Sequence, residues 1–211
     1  MSARKELSRA LRNPWLRAAA LLAVLAVMVT AMLGGFNKAT ATTGASQVHT
    51  YPAGAIVDSG AMRITALKAW RSLRGPEGNA DPYTPVQYLV LQVRVDNRTG
   101  KSNSAYGNLQ ADLVWLSRKD GRLQEVKADR FQRADDHTLV DLLHPGMPTI
   151  VDMVWKLPIE AELPATSEWG VVRREFSPKA TFFGASGWVQ GRAAAKLALA
   201  VEDRRANVIA P

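Results

Sequence analysis

Between Pro85 and Asn97 apolar and other residues alternate: Leu89, Leu91, Val93 and Val95 point to one face, and Val90, Gln92 and Arg94 to the other. A period of two over this length predicts a strand with one face in a core, and Asp96–Gly100 supplies turn residues after it. A second run, Leu109–Leu116, sets Leu109, Ala111, Leu113 and Trp115 on one face or Gln110, Asp112, Val114 and Leu116 on the other. It leads through Arg118-Lys119-Asp120-Gly121, where Asp-Gly signals a hairpin, to a return strand over Arg122–Val126. A third run, Thr149–Leu157, alternates Val151, Met153 and Trp155 with Asp152, Val154 and Lys156 and stops before Pro158. Weaker strand patterns cover Ala61–Leu73, Glu168–Glu175 and Gly187–Val201. The last also contains the helix-forming stretch RAAAK, and we read it as a closing strand because Lys196–Val201 alternates.

The pattern before residue 51 is of another kind. Ala18 to Phe36 carries no charged side chain and no polar face. At about 1.5 Å per residue, a helix of that length approaches the roughly 30 Å of a bilayer's hydrocarbon core. Arg4, Lys5, Arg9, Arg12 and Arg17 precede it, and after it only Lys38 comes before Arg63. That asymmetry puts the N-terminus in the cytoplasm and the rest outside, with Trp15 at an interfacial position. A cleaved signal peptide has the same charge order, and Ala39-Thr40-Ala41 offers it a small-x-small site. The run exceeds the usual length of a signal-peptide core, so a retained anchor is the expectation.

The expected organisation is a basic cytoplasmic tail over 1–17, a transmembrane helix over 18–36, a flexible linker over 37–50 and an extracytoplasmic β domain over 51–211. The linker, rich in Thr, Ala, Ser and Gly, has no apolar period. Strands that do not alternate with long helices argue against a parallel α/β fold. The expected fold is an all-β, antiparallel, immunoglobulin-like sandwich preceded by one N-terminal transmembrane helix.

Composition narrows the chemistry. The absence of cysteine excludes disulfides, thiolate metal sites, a cysteine nucleophile and a lipidated cysteine. The net charge of +8 invites a nucleic-acid reading, but +4 of it lies before the apolar run and the remainder is dispersed. Phosphate binding needs a concentrated basic field, so no nucleic-acid partner is expected.

Tyr88–Asn97, a strand closing on Asn at its turn, resembles the signature strand of a broad bacterial family of extracytoplasmic immunoglobulin-like domains of unassigned function. His144-Pro145-Gly146-Met147, followed by Val151–Pro158, resembles the Pro-Gly loop and next strand of the same family. The resemblance covers Ile56 to Val201 in outline. It implies a sandwich with an interaction or accessory role, and it carries over no catalytic residue.

Candidate chemistry is sparse. Asp135-Asp136-His137 is the one cluster of metal-ligand composition, but adjacent residues on a looping chain diverge, and a solvated loop is the simpler reading. His144-Pro145-Gly146 reads as a tight turn, Asn97-Arg98-Thr99 as turn chemistry rather than a glycosylation site, and His49 lies in the linker. The paired carboxylates Asp135/Asp136 and Glu160/Glu162 read as surface charges. No nucleophile elbow, phosphate-cradling loop, dinucleotide fingerprint or His-Glu-x-x-His pair occurs. No catalytic residue, metal site or cofactor is therefore assigned. Trp115 and Trp155 belong to the core in the register above, whereas Trp70 and Trp188 are the candidates for an exposed interaction surface.

The expected function is a non-enzymatic, single-pass membrane protein whose outer domain binds an integral-membrane or envelope partner, as an accessory subunit of a transport or cell-wall system. The alternatives are a cleaved, secreted sandwich that binds a glycan or metal, and an envelope hydrolase.

Overall fold

A computed structural model describes residues 48–119, 121–180 and 186–207. The expected tail, span and most of the linker lie outside the described residues, among which no helix is long and apolar enough to cross a membrane. The described residues form twelve strands: β1 (Thr50–Tyr51), β2 (Ile56–Asp58), β3 (Met62–Ser72), β4 (Val86–Asn97), β5 (Asn103–Ser104), β6 (Leu113–Lys119), β7 (Arg122–Val126), β8 (Arg130–Arg133), β9 (Leu142–Leu143), β10 (Thr149–Pro158), β11 (Thr166–Ser177) and β12 (Gly187–Asp203).

Ten of them make two layers, and β5 and β9 pair with each other apart from these. One has the order β3-β4-β10-β8 with β2 on the outer edge of β3; the other is β7-β6-β11-β12 with β1 on β12. The long β12 belongs to both layers: it pairs with β11 as far as Ala200, and Val201–Asp203 then pairs with β3. Pairing is antiparallel except for β1 with β12 and β12 with β3, which are parallel. Leu89, Leu91, Val93 and Val95 of β4 all point inward, as the period of two requires. They meet Met153 and Trp155 of β10 and, from the other layer, Trp115, Trp169, Val171, Leu197 and Leu199 in one buried cluster. Trp155 and Trp169 lie 6.5 Å apart between centroids, and Trp155 Nε1 donates to Val126 O at 3.0 Å.

The expectation of a strand starting at Leu109 is corrected. Ala105–Leu109 forms a π-helical turn and Gln110–Asp112 a short helix, α1, with strand only from Leu113. Ser104 Oγ caps the turn by accepting from Gly107 N at 3.0 Å. Leu109 and Leu113 are both fully buried, and their spacing of four serves a helical turn as well as it serves alternation. The stretch around RAAAK is strand, because Ala195, Leu197 and Leu199 enter the core and β11 pairs along it. The expected linker gives up its end to the fold: Thr50 joins β1, and His49 O accepts from Lys196 N.

Asn97 sits where the two segments of family resemblance meet. It forms a bridge with Pro145. Its buried amide donates to Lys101 O and Leu143 O, each at 2.8 Å, while Oδ1 accepts from Thr99 N and Oγ1. Pro145-Gly146 completes the neighbouring turn with Gly146 at φ +67°, a conformation that favours glycine, and Met147 N donating to His144 O. Replacing Asn97 by alanine is expected to cost about 2–3 kcal/mol, because buried carbonyls and donors lose their partner together. The change in urea midpoint at constant slope measures it; a loss below about 0.5 kcal/mol would show that the junction is held by other contacts.

Candidate interaction surface

The two tryptophans singled out in the sequence have different fates. Trp70 is only 6% exposed, which corrects the expectation that it is a surface residue. It lies on the outer side of the β3-β4-β10-β8 layer among Val86, Tyr88, Val90 and Val154. The Arg204 guanidinium covers its ring at 4.5 Å from the centroid. The connection 73–85 is latched to the same layer: Glu77 accepts from Arg130 and Gln132, and Asp81 pairs with Lys156. Partial burial raises the Glu77 carboxyl, but its backbone bond and Arg130 outweigh that and leave it below the usual range. Lys156 and two backbone amides hold Asp81 at about 2.

Trp188 stands on a β-ribbon. β6 pairs with β11 only over Glu168–Val171, and β1 with β12 only at Lys196–Leu197. Beyond those rungs Val172–Ser177 and Gly187–Ala194 continue as two paired strands; no further strand among the described residues pairs with their outer edges, and on the β11 edge Arg174 N is taken up by Ser59 O. Trp188 is half-buried and stacks edge-to-face on Phe176 at 5.7 Å, and Phe176 is 58% exposed. Phe176 was missed in the sequence because it lies past the clearest alternation of β11, just before Ser177-Pro178.

The root of the ribbon is tightly held. The turn between β2 and β3 packs against it: Arg174 N donates to Ser59 O at 2.7 Å. A Cβ on Gly60 would lie 2.3 Å from Arg174 O and 3.4 Å from the Trp188 ring. Gly60 also has φ +89°, so both space and backbone require glycine there. Arg174 Nε donates to both carboxylate oxygens of Asp112, at 2.7 and 2.8 Å. Asp112 is fully buried, and that desolvation pushes its carboxyl up to about 6 despite the guanidinium beside it. Sixty-two residues separate the pair, and no local pattern announces it.

Beside the ribbon a groove of about 490 Å³ is lined by Ile56, Asp58, Arg173, Glu175 and Arg192. A second, of about 570 Å³, lies between Trp115–Arg118 and Glu162–Glu168. Neither is lined by a histidine. The Asp135-Asp136-His137 loop is satisfied internally: Arg133 forks onto Asp135, Thr138 donates to Asp136, and His137 takes φ +58°. His144 Nδ1 bonds Ser102 Oγ at 2.9 Å, and His49 stacks on Tyr51. Among the described residues no three His, Asp or Glu side chains converge as metal ligands. Phe176 and Trp188 therefore offer apolar and aromatic contact beside strand edges that no further strand among the described residues pairs.

No protein-family model matches the chain, and no curated protein matches it. Among solved structures, an uncharacterised β-sandwich protein from Clostridium difficile 630 is similar at 14% identity and a TM-score of 0.44, over 69% of this chain and 95% of that one.

Proposed function

We propose that the chain is a non-enzymatic, membrane-anchored extracytoplasmic interaction domain, an accessory subunit of an envelope protein complex such as a transport or cell-wall system. The observation that carries this reading is the ribbon, which presents Phe176 and Trp188 beside strand edges that no further strand among the described residues pairs. Aromatic side chains bring large contact area at low entropic cost, and free edges can accept a further strand. The anchor is the uncharged run Ala18–Phe36, with the basic tail before it setting the orientation. The strand order supports an immunoglobulin-like form. Reading β3, β4, β6, β7, β8, β10, β11 and β12 as A, B, C, C′, D, E, F and G reproduces an A-B-E-D layer against G-F-C-C′. The contact between Asn97 and Pro145 joins the two stretches that resemble the bacterial family.

The test is a photo-cross-linking amino acid at Phe176 or Trp188 of the C-terminally tagged, full-length chain in its own cells. One dominant integral-membrane or envelope adduct is expected at both positions, and none with the probe at exposed Leu123 on the β6–β7 hairpin. A chain recovered from the medium and starting near Thr42, or the same adducts from all three positions, would sink the reading.

A further inference from the structure

The direction in which the chain enters the domain gives its two ends different surroundings. β1 runs parallel to β12, with Thr50 opposite Lys196 and Tyr51 opposite Leu197. Followed backwards from Thr50, the chain therefore leaves toward the Gly187 end of β12. β3 is also parallel to β12, so its Met62 end lies at this same entry end, with Asn97 opposite Met62 and Pro145 bridged to Asn97. The loop between β9 and β10 is thus an entry-end loop, whereas the 73–85 connection leaves β3 at the far end.

Apolar side chains stand exposed in and beside the entry-end loop. Met147 in the loop is 63% exposed, and the strand residues that flank it are exposed as well, Leu142 of β9 at 51% and Ile150 of β10 at 44%. From Leu139 to Ile150 the only acidic residue is Asp141. Exposed Lys101 sits alongside, tied through Asn97, whose amide donates to both Lys101 O and Leu143 O. No carboxylate among the described residues lies within ion-pair distance of Lys101. Apolar tips beside an unpaired cation are the chemistry of an interfacial contact: the tips enter the headgroup–acyl boundary and the ammonium meets lipid phosphates.

We infer that the Leu142–Met147 loop with Lys101 is a seat on the outer surface of an anionic phospholipid bilayer, which holds the domain down on its entry end. This rests on the reading of Ala18–Phe36 as a span. Eleven residues, 37–47, separate that run from Val48, and they span at most about 39 Å when fully extended.

The chain has no cysteine, so single-cysteine variants report one position each. Leu142→Cys, Met147→Cys and, at the far end, Tyr83→Cys (Tyr83 is 93% exposed) are made in the full-length chain. Each is labelled with an environment-sensitive fluorophore and reconstituted into vesicles of phosphatidylcholine with phosphatidylglycerol. Flotation after alkaline washing reports the anchor independently. The expected result is blue-shifted emission, quenched by shallow spin-labelled lipids, at 142 and 147 but not at 83. A Lys101→Glu change in the Met147→Cys background should weaken the quenching several-fold. Floating vesicles whose 147 probe matches the aqueous 83 probe would overturn the seat and leave the anchor standing. Shielding at 147 only in native membranes, not in pure lipid, would overturn it in favour of a protein contact. A chain that does not float would overturn both readings.

Discussion

Asp112→Ala is expected to destabilise the domain by about 3–5 kcal/mol and to loosen the ribbon from the sandwich. The Arg174 side chain is only 11% exposed and has its two short bonds to the Asp112 carboxylate; without them it keeps, among the described residues, Asn108 O at 3.4 Å and no counter-charge. Removing one partner of a buried ion pair leaves the other desolvated and uncompensated. Asp112→Asn should cost less, since the amide oxygen still accepts from Arg174. The pair also sets a pH dependence whose sign is opposite to that of a typical paired carboxylate. Burial holds Asp112 at about 6 in the folded chain, above its ordinary 3.8. Between about pH 4 and pH 6 the folded state keeps a proton that the unfolded state has released. Stability from this group is therefore full below pH 4 and falls by about 3 kcal/mol as pH rises through 6. Asp152, also raised by burial, acts in the same direction; Asp81, held low by Lys156, acts in the other. Unfolding free energies of wild type and Asp112→Asn measured from pH 4 to 7 isolate the group. The wild type should gain on the variant as pH falls, and parallel curves would refute the assignment.

Trp155→Ala is expected to cost about 3–5 kcal/mol, the range for deleting a large aromatic from a packed core. Trp155 is fully buried between the layers, tilted against Trp169, and its indole satisfies Val126 O at the end of β7. Alanine opens a cavity that two sheets cannot close, since their spacing is set by the remaining side chains. It also strands a carbonyl. Trp155→Phe fills most of the volume and loses only the hydrogen bond, so about 1–2 kcal/mol is expected beyond the small packing change. Denaturant unfolding of the full-length chain, followed by the remaining tryptophans, gives both values. Equal losses for alanine and phenylalanine would mean that the bond to Val126, not the packing, holds the residue in place.

How much of this was legible in the sequence varies by element. β4, β10 and the β6–β7 hairpin follow from a period of two and an Asp-Gly turn, because their side chains answer to a local rule: alternate residues face alternate sides. Asn97 as a turn residue was equally legible, since its bonds to Thr99 lie two residues away. Trp70 was misjudged because its burial depends on Arg204, which returns at the far end of the chain, and on the outer-face cluster around Tyr88. The strand assigned to Leu109–Asp112 failed for a related reason. Leu109 and Leu113 satisfy both periods, and the choice fell to Ser104 capping the turn and Arg174 drawing in Asp112.

By itself the sequence determined β4, β10 and the β6–β7 hairpin, the inward-facing tryptophans Trp115 and Trp155, the turn chemistry at Asn97 and Pro145-Gly146, and the uncharged run ahead of the domain, all properties of neighbours along the chain. Only the tertiary structure decided that β12 joins both layers, that Trp70 is covered while Phe176 and Trp188 stand on a ribbon beyond the β6 and β1 rungs, that Asp112 is buried against Arg174, and that the apolar loop lies where the chain enters. Those outcomes depend on which residues far apart in sequence come within a few ångströms, and burial and electrostatics act across space rather than along the chain.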